Sequence, residues 1–419
     1  MRASRVRNCL VGCWLFMISS CRLPAASIPI PSSPLSYMLP LPSFPSSSSH
    51  FTPASPLHMD GYHPDDSFSD VDSDIFSMRS APSSATSYDV SMRSGSPAPS
   101  MYSVTSSIRA TSYRQEYGRG LNNYSEVYQL PADDEELDRL DKQHGMFKKI
   151  MGAYPPSMAE VMADDTSGEI KSVLDLGCGS GNWIMEVARD FPHCQAVAVD
   201  LVPMQSMQRY ASKLQPCRSE VDDINIGLQH FYGDFNVVHA RLISSGIRDF
   251  PSLIDHISQC LRPGGLMELL EFDFRVYDGD CRPFSLRTGI MESPWFPRWM
   301  SFLNMAVRQR GGSPDAASML YNWTLQHPAF EDVVYEEYFI PTAPFMSHQD
   351  PNFHFNRAIS LTFREDILAF LRSGRPLLLG SGLPESLVDE LQDRAHFELI
   401  EARTASFIRV ERVYARKRP

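Results

Sequence analysis

The sequence has little of what marks several common protein classes. Its eight cysteines, at positions 9, 13, 21, 178, 194, 217, 260 and 281, include no Cys-x-x-Cys pair, and no Cys/His cluster has zinc spacing. No metal site is therefore expected, and scattered, unpaired thiols suit a reducing compartment. Basic residues are not in excess: 38 Lys and Arg against 50 Asp and Glu leave a net charge of −12. Nucleic-acid binders usually carry a basic face, so DNA or RNA is disfavoured as a main partner. Long apolar runs are missing as well. The uncharged stretch Cys9–Cys21 has 13 residues, short of the roughly 20 that a spanning helix needs. No other segment reads as a membrane span.

Two phosphate-binding signatures are also incomplete. In KSVLDLGCGSGNW (Lys171–Trp183), Val173, Leu174 and Leu176 read as a buried strand interrupted by Asp175, and Trp183–Ala188 as the first turns of a helix. Glycines between a strand and a helix permit positive φ and close approach of backbone to a ligand. A P-loop would end in Gly-Lys-Ser/Thr, and a dinucleotide loop reads G-x-G-x-x-G. Here Gly177, Gly179 and Gly181 give G-x-G-x-G, and Asn182 stands where the third glycine belongs. Two readings stay open on the glycines alone: a loop packed against a nucleoside with a polar tail, or a tight turn with no ligand. A second buried strand, Ala196–Val199, ends at Asp200. An acidic side chain about 20 residues past the glycines can accept hydrogen bonds from ribose hydroxyls, and this favours the ligand over a helix cap.

At this point the sequence resembles a known family. VLDLGCGSGNW with AVAVDL is similar to motifs I and II of class I S-adenosylmethionine-dependent methyltransferases, and LRPGGLMELLEFD (Leu261–Asp273) resembles the loop and fifth strand of that fold. YQLPADDEELDRLDKQHGMFK (Tyr128–Lys148), SEVDDIN (Ser219–Asn225), VVHAR (Val237–Arg241) and the ending VYARK resemble the fungal methyltransferases related to global regulators of secondary metabolism. The resemblance covers roughly Asn122–Lys417.

The chain reads as two materials. Residues 1–120 form a Ser/Pro-rich arm, dense in Pro and Ser over Pro24–Ser55. Such a composition buries too little apolar surface to offset chain entropy, so the arm is expected to be disordered. Its acidic serine cluster, DDSFSDVDSD, reads as a solvated tail rather than a kinase site. At its start, Arg2, Arg5 and Arg7 precede the uncharged stretch, with Ala25 and Ala26 beyond, as in a secretory signal. Secretion would part a methyltransferase from its intracellular cofactor, and translation starting at Met59 is the other reading. The expected location is cytoplasmic or nuclear.

Residues 121–419 are expected to be the methyltransferase domain. Leu137, Leu140, His144, Phe147 and Ile150 recur at helical steps within Asp133–Met151. Strands over 172–176, 196–200, 219–221, 235–240 and 266–272 alternate with helices over 182–191, 204–214 and 252–261. This predicts a doubly wound, mostly parallel sheet. The resemblance completes it to seven strands, a Rossmann-like methyltransferase fold. Later helices over 295–309, 356–371 and 385–395 lie before and between the last strands, 333–339 and 405–415. They are expected as lid insertions over the active-site mouth.

The resemblance implies S-adenosyl-L-methionine as cofactor. Asp175, Gly177, Cys178, Gly179 and Gly181 would form its loop. Asp175 would meet the cofactor's ammonium, Asp200 with Leu201 the ribose, and Asp222 or Asp223 the adenine. His239 and Arg241 close strand four, where the sulfonium should sit. His239 is the candidate base or acceptor-positioning group, followed by Glu271 and then Asp273. His144 reads as the margin of a docking helix rather than a site residue. Methyl transfer from a sulfonium is an in-line displacement that depends mainly on positioning, and a base is needed only for a protonated acceptor. No Asn-Pro-Pro-Tyr motif points to amide or base N-methylation. The expected acceptor is a small molecule. A regulatory protein of the same fold, acting through protein partners in the nucleus, is the alternative, and a nicotinamide-dependent dehydrogenase is disfavoured by Asn182.

Overall fold

Continuous apolar runs place the central strands between two helical layers. The computed structural model describes residues 4–9, 111–165, 168–204, 217–345 and 348–419, all within one of two units of the chain. The expected helix over 204–214, the acidic serine cluster and nearly all of the signal-like stretch lie outside the described residues.

Among the described residues the sheet has eight strands, in the order β1-β9-β10-β8-β7-β4-β5-β6. Its central members are β4 (Ser172–Leu176), β5 (Gln195–Asp200), β6 (Arg218–Val221), β7 (Phe235–Arg241) and β8 (Leu261–Tyr277), all parallel. The strand β10 (Phe407–Lys417) runs antiparallel between β8 and β9 (Phe330–Pro341). These seven are the strands expected of the domain. Chain order proceeds outward from β4 through β5 to β6, then returns to β7 on the other side. The switch point lies between β4 and β7, where ligands bind at the carboxyl ends of such strands.

Four elements differ from expectation. The strand β1 (Ser4–Cys9), placed by composition in a disordered arm, pairs in parallel with β9, Ser4 opposite Val334 and Cys9 opposite Phe339. A sheet edge offers unpaired backbone groups to any extended segment, so side-chain composition does not signal this pairing. A hairpin of β2 (Tyr113–Glu116) and β3 (Arg119–Asn122) straddles the expected boundary at residue 120. A helix over Ala316–Gln326 went unread. Finally, β8 absorbs the Arg262–Gly265 loop as a register shift against β7. A Cβ at Gly265 would stand 2.9 Å from the Arg262 carbonyl oxygen, which explains the glycine there.

The helices are α1 (Asp134–Met151), α2 (Met158–Val161), α3 (Asn182–Asp190), α4 (Phe250–Cys260), α5 (Trp295–Gln309), α6 (Ala316–Gln326), α7 (Phe353–Gly380) and α8 (Glu385–Glu401). One face of the sheet packs on α5, α7 and α8 through Trp299, Leu371 and Leu391, while α4 and α6 contribute a second apolar cluster and α2 and α3 a third. Trp299 is fully buried, and burying a side chain of this size contributes about 1.5–3 kcal/mol or more. Asp133 caps α1, accepting from the Glu136 amide, and Asp134–Glu136 and Lys148–Lys149 suit its dipole. No helix among the described residues is long and apolar enough to cross a membrane.

Candidate active site

The glycine loop turns sharply because each of its glycines adopts a left-handed φ: +69° at Gly177, +55° at Gly179 and +79° at Gly181. A Cβ on Gly177 would stand 2.4 Å from Ile243 Cγ2, whereas one on Gly179 would meet only Leu140 Cδ1, at 3.0 Å. The loop is pinned by Asp200, whose Oδ2 accepts the Gly179 amide at 2.8 Å while Oδ1 accepts the Val202 amide at 3.3 Å. Asn182, in the place of the missing third glycine, starts α3 and donates to Asp141 on α1 at 2.8 Å. A side chain is needed there to tie the two helices together.

Above this loop lies a cavity of about 1610 Å³, its open mouth included. Asp175, Gly177, Cys178, Gly179, Asp200, Leu201, Asp222, Asp223 and His239 all line it. Gly181 does not; it caps α3. Burial drives the Asp200 carboxyl up to about 6 against the backbone amides that favour its ionised form, and burial likewise raises the Cys178 thiol. Asp223 Oδ1 is occupied by the amide and side chain of Asn225, at 3.0 and 2.8 Å.

The register of β4 and β7 sets Asp175 directly beside His239. Asp175 Oδ1 lies 2.8 Å from His239 Nδ1. A carboxylate can only accept, so Nδ1 carries the proton and Nε2 is the basic nitrogen of the neutral ring. The Trp183 ring stacks on His239 at 3.8 Å between centroids, planes 9° apart. Asp175 Oδ2 is buried without a hydrogen-bond partner.

Glu271 corrects the sequence reading. Its carboxylate accepts from the Ile243 amide (2.7 Å), the Ser244 amide (3.0 Å) and the Ser244 hydroxyl (2.7 Å), and it does not line the cavity. Its role is to hold the chain leaving β7 against β8, and burial pushes its carboxyl up to about 8. Asp273 is likewise turned away, bound by Tyr277 and Arg409. Alternation along β8 puts both carboxylates on the face opposite Phe272 and Phe274, which do line the cavity. His144 borders a second, smaller cavity shared with His239 and Arg241. Burial and then Arg241 lower its pKa to about 4, so it is neutral.

The outer half of the cavity is apolar: Phe272 and Phe274 from β8, Phe296 and Met300 from α5, Phe363 and Phe370 from α7. Of the helices expected over the mouth, those over 295–309 and 356–371 wall the cavity, and α8 contributes no residue to it. Its polar residues are paired among themselves, Arg139 with Glu136 (2.6 Å) and Asp366 (2.7 Å), and Gln143 with Asp366 (3.1 Å). Composition did not single out these residues. The spacing of Phe363, Asp366, Ile367 and Phe370 on one helical face is the signal that marks them.

A doubly wound sheet with one reversed strand, a glycine loop at its switch point and acidic residues ending β5 and following β6 define a methyltransferase-type nucleoside site. The cradle fits S-adenosyl-L-methionine: Asp175 keeps one buried oxygen free, and the backbone at Gly179 is faced only by the end of the Leu140 side chain. Comparison with known proteins agrees. A methyltransferase-domain family matches residues 143–334. The secondary metabolism regulator laeA of Coprinopsis cinerea is 48% identical over 306 residues, 73% of this chain and 74% of that protein. A protein-methionine methyltransferase laeA of Emericella nidulans is 31% identical over 186 residues, 43% of this chain and 46% of its own. Among solved structures, Haemonchus contortus phosphoethanolamine N-methyltransferase 2 with S-adenosyl-L-methionine covers 72% of this chain and 62% of its own, at 18% identity and a TM-score of 0.35. The chain belongs to the laeA-like family of S-adenosylmethionine-dependent methyltransferases, and S-adenosyl-L-methionine is its cofactor.

Proposed function

We propose that this enzyme methylates a small, largely apolar acceptor seated in the aromatic half of the cavity, with His239 as the base. The carrying observation is the 2.8 Å pair of Asp175 Oδ1 and His239 Nδ1 on the cavity wall. Cofactor, when bound, supplies an activated methyl group. The protein's residues do the rest. Asp200 receives the ribose hydroxyls, and Asp222 or Asp223 the adenine amino group. Phe272 and Phe363 exclude water from the acceptor. His239 Nε2 takes the proton of a hydroxyl-type acceptor while Asp175 steadies the imidazolium, an arrangement typical of oriented bases. Other carboxylates of the outer half are already paired, which leaves His239 the best-placed acceptor of a proton.

A second reading follows from the relatives: a regulator that methylates, or acts through, protein partners in the nucleus. One relative is named for methylating protein methionine. A thioether carries no proton to remove, so this reading needs no base. Incubating the protein with methyl-labelled cofactor and host extract separates the two. Label in a small-molecule fraction, lost in His239→Gln, supports the first. Label confined to protein, and retained in His239→Gln, overturns it.

A further inference from the structure

Two side chains beside the glycine loop carry charge that their neighbours do not satisfy. Asp175 Oδ2 is buried without a partner, while its Oδ1 is engaged by His239. Arg241, two residues beyond His239 on β7, makes one long contact, from Nη1 to His144 Nδ1 at 3.3 Å, and covers the Phe147 ring at 5.9 Å. It has no ion pair among the described residues. Three other arginines of the sheet and lid are different: Arg139 holds Glu136 and Asp366, Arg409 holds Asp273 and Glu411, and Arg412 holds Glu268 and Glu336. A guanidinium presents five donors in a fixed fork suited to a carboxylate. Leaving it half-buried in the cavity wall without a direct ion pair is unfavourable. Burial lowers its pKa, opposed by the carboxylates of Asp175, Glu268 and Glu186, none of which pairs with it directly.

Asp175 and Arg241 end adjacent strands and line the same cavity. They do not pair with each other. One free carboxylate oxygen next to one under-paired guanidinium is the charge template of an α-amino acid. The geometry points to Arg241 as the receptor for the carboxylate of the cofactor's methionyl tail, with Asp175 Oδ2 on its ammonium. This rests on the cofactor assignment and adds a specificity residue to it. Arg241 would make the site discriminate donors and products that keep the amino-acid tail from nucleosides that share only the thioether and ribose.

The test is calorimetric titration of the full chain with S-adenosylhomocysteine and with 5′-methylthioadenosine, which lacks the tail. In Arg241→Met, affinity for S-adenosylhomocysteine should fall about tenfold to hundredfold, as for lost charge-assisted bonds. Affinity for 5′-methylthioadenosine should stay within about twofold on the same scale, which also shows that the variant is folded. Arg241→Lys should recover part of the loss. An equal loss for both ligands would make Arg241 a structural support, and no loss for either would send the carboxylate elsewhere; each overturns the proposal. Wild-type protein that binds neither ligand overturns the cofactor assignment itself, and the proposal with it.

Discussion

Asp175 and His239 are register partners on neighbouring strands, joined by a 2.8 Å contact at the topological switch point of the sheet. A pair so placed is held by backbone pairing on both sides, and the stacked Trp183 ring fixes the imidazole plane. His239→Gln should therefore lower methyl transfer about 10²–10⁴-fold, the usual contribution of a positioned base. S-adenosylhomocysteine affinity should remain near wild type, because His239 is not assigned to the cofactor. Rate assays beside calorimetry check this, and a matching loss of cofactor affinity would reassign His239 to the cofactor site.

The glycines of the loop should respond differently. Gly177→Val sets a Cβ into Ile243 at 2.4 Å with φ at +69°, so both stability and binding should fall. Gly179→Val meets only the end of a leucine, at 3.0 Å. Its cost to folding should be about 1–2 kcal/mol, from the left-handed φ, while its branched side chain enters the ligand's space. Thermal melts with and without S-adenosylhomocysteine should show Gly179→Val folded and no longer stabilised by ligand.

Asp200 gives the site a pH dependence. Burial pushes its carboxyl up to about 6, and in the proposed site ribose hydroxyls would donate to the ionised form. Binding of S-adenosylhomocysteine should be full above that value and weaken as pH falls through 6, by up to about tenfold per unit. Asp200→Asn should remove this slope. Because Asp200 also accepts the Gly179 amide, the same variant should melt earlier. Calorimetry between pH 5 and 8 reads the slope; an unchanged slope in Asp200→Asn would assign it to another group.

Glu271 should behave as a structural residue. Glu271→Ala strands two amides and a hydroxyl and should cost about 1–3 kcal/mol or more. The folded-state pKa of about 8 lies above the ordinary carboxylate value. The folded state thus binds the extra proton, and this group's contribution to stability declines as pH rises from about 4.5 to 8. Denaturant unfolding of wild type and Glu271→Gln across that range should show the decline lost in the variant, with S-adenosylhomocysteine affinity little changed.

Glycine spacing, strand alternation and the acidic residue after the second strand were determined by the sequence alone, because each is a local requirement of backbone geometry. Those features place β4, α3, β5 and β7 to within a residue or two. Tertiary structure decided what depends on which side chains meet. Glu271 and Asp273 have the composition of site residues, but strand alternation and the partners Ser244 and Arg409 turn them away. Asp175 is legible as a residue of the glycine loop, yet only the β4–β7 register gives it His239 as a partner. The aromatic half of the cavity draws on β8, α5 and α7, segments far apart in sequence, and an apolar residue on a helix reads the same whether it faces a core or a ligand. Strand β1 was invisible for a simpler reason. Edge pairing uses backbone donors and acceptors, which every sequence except proline supplies.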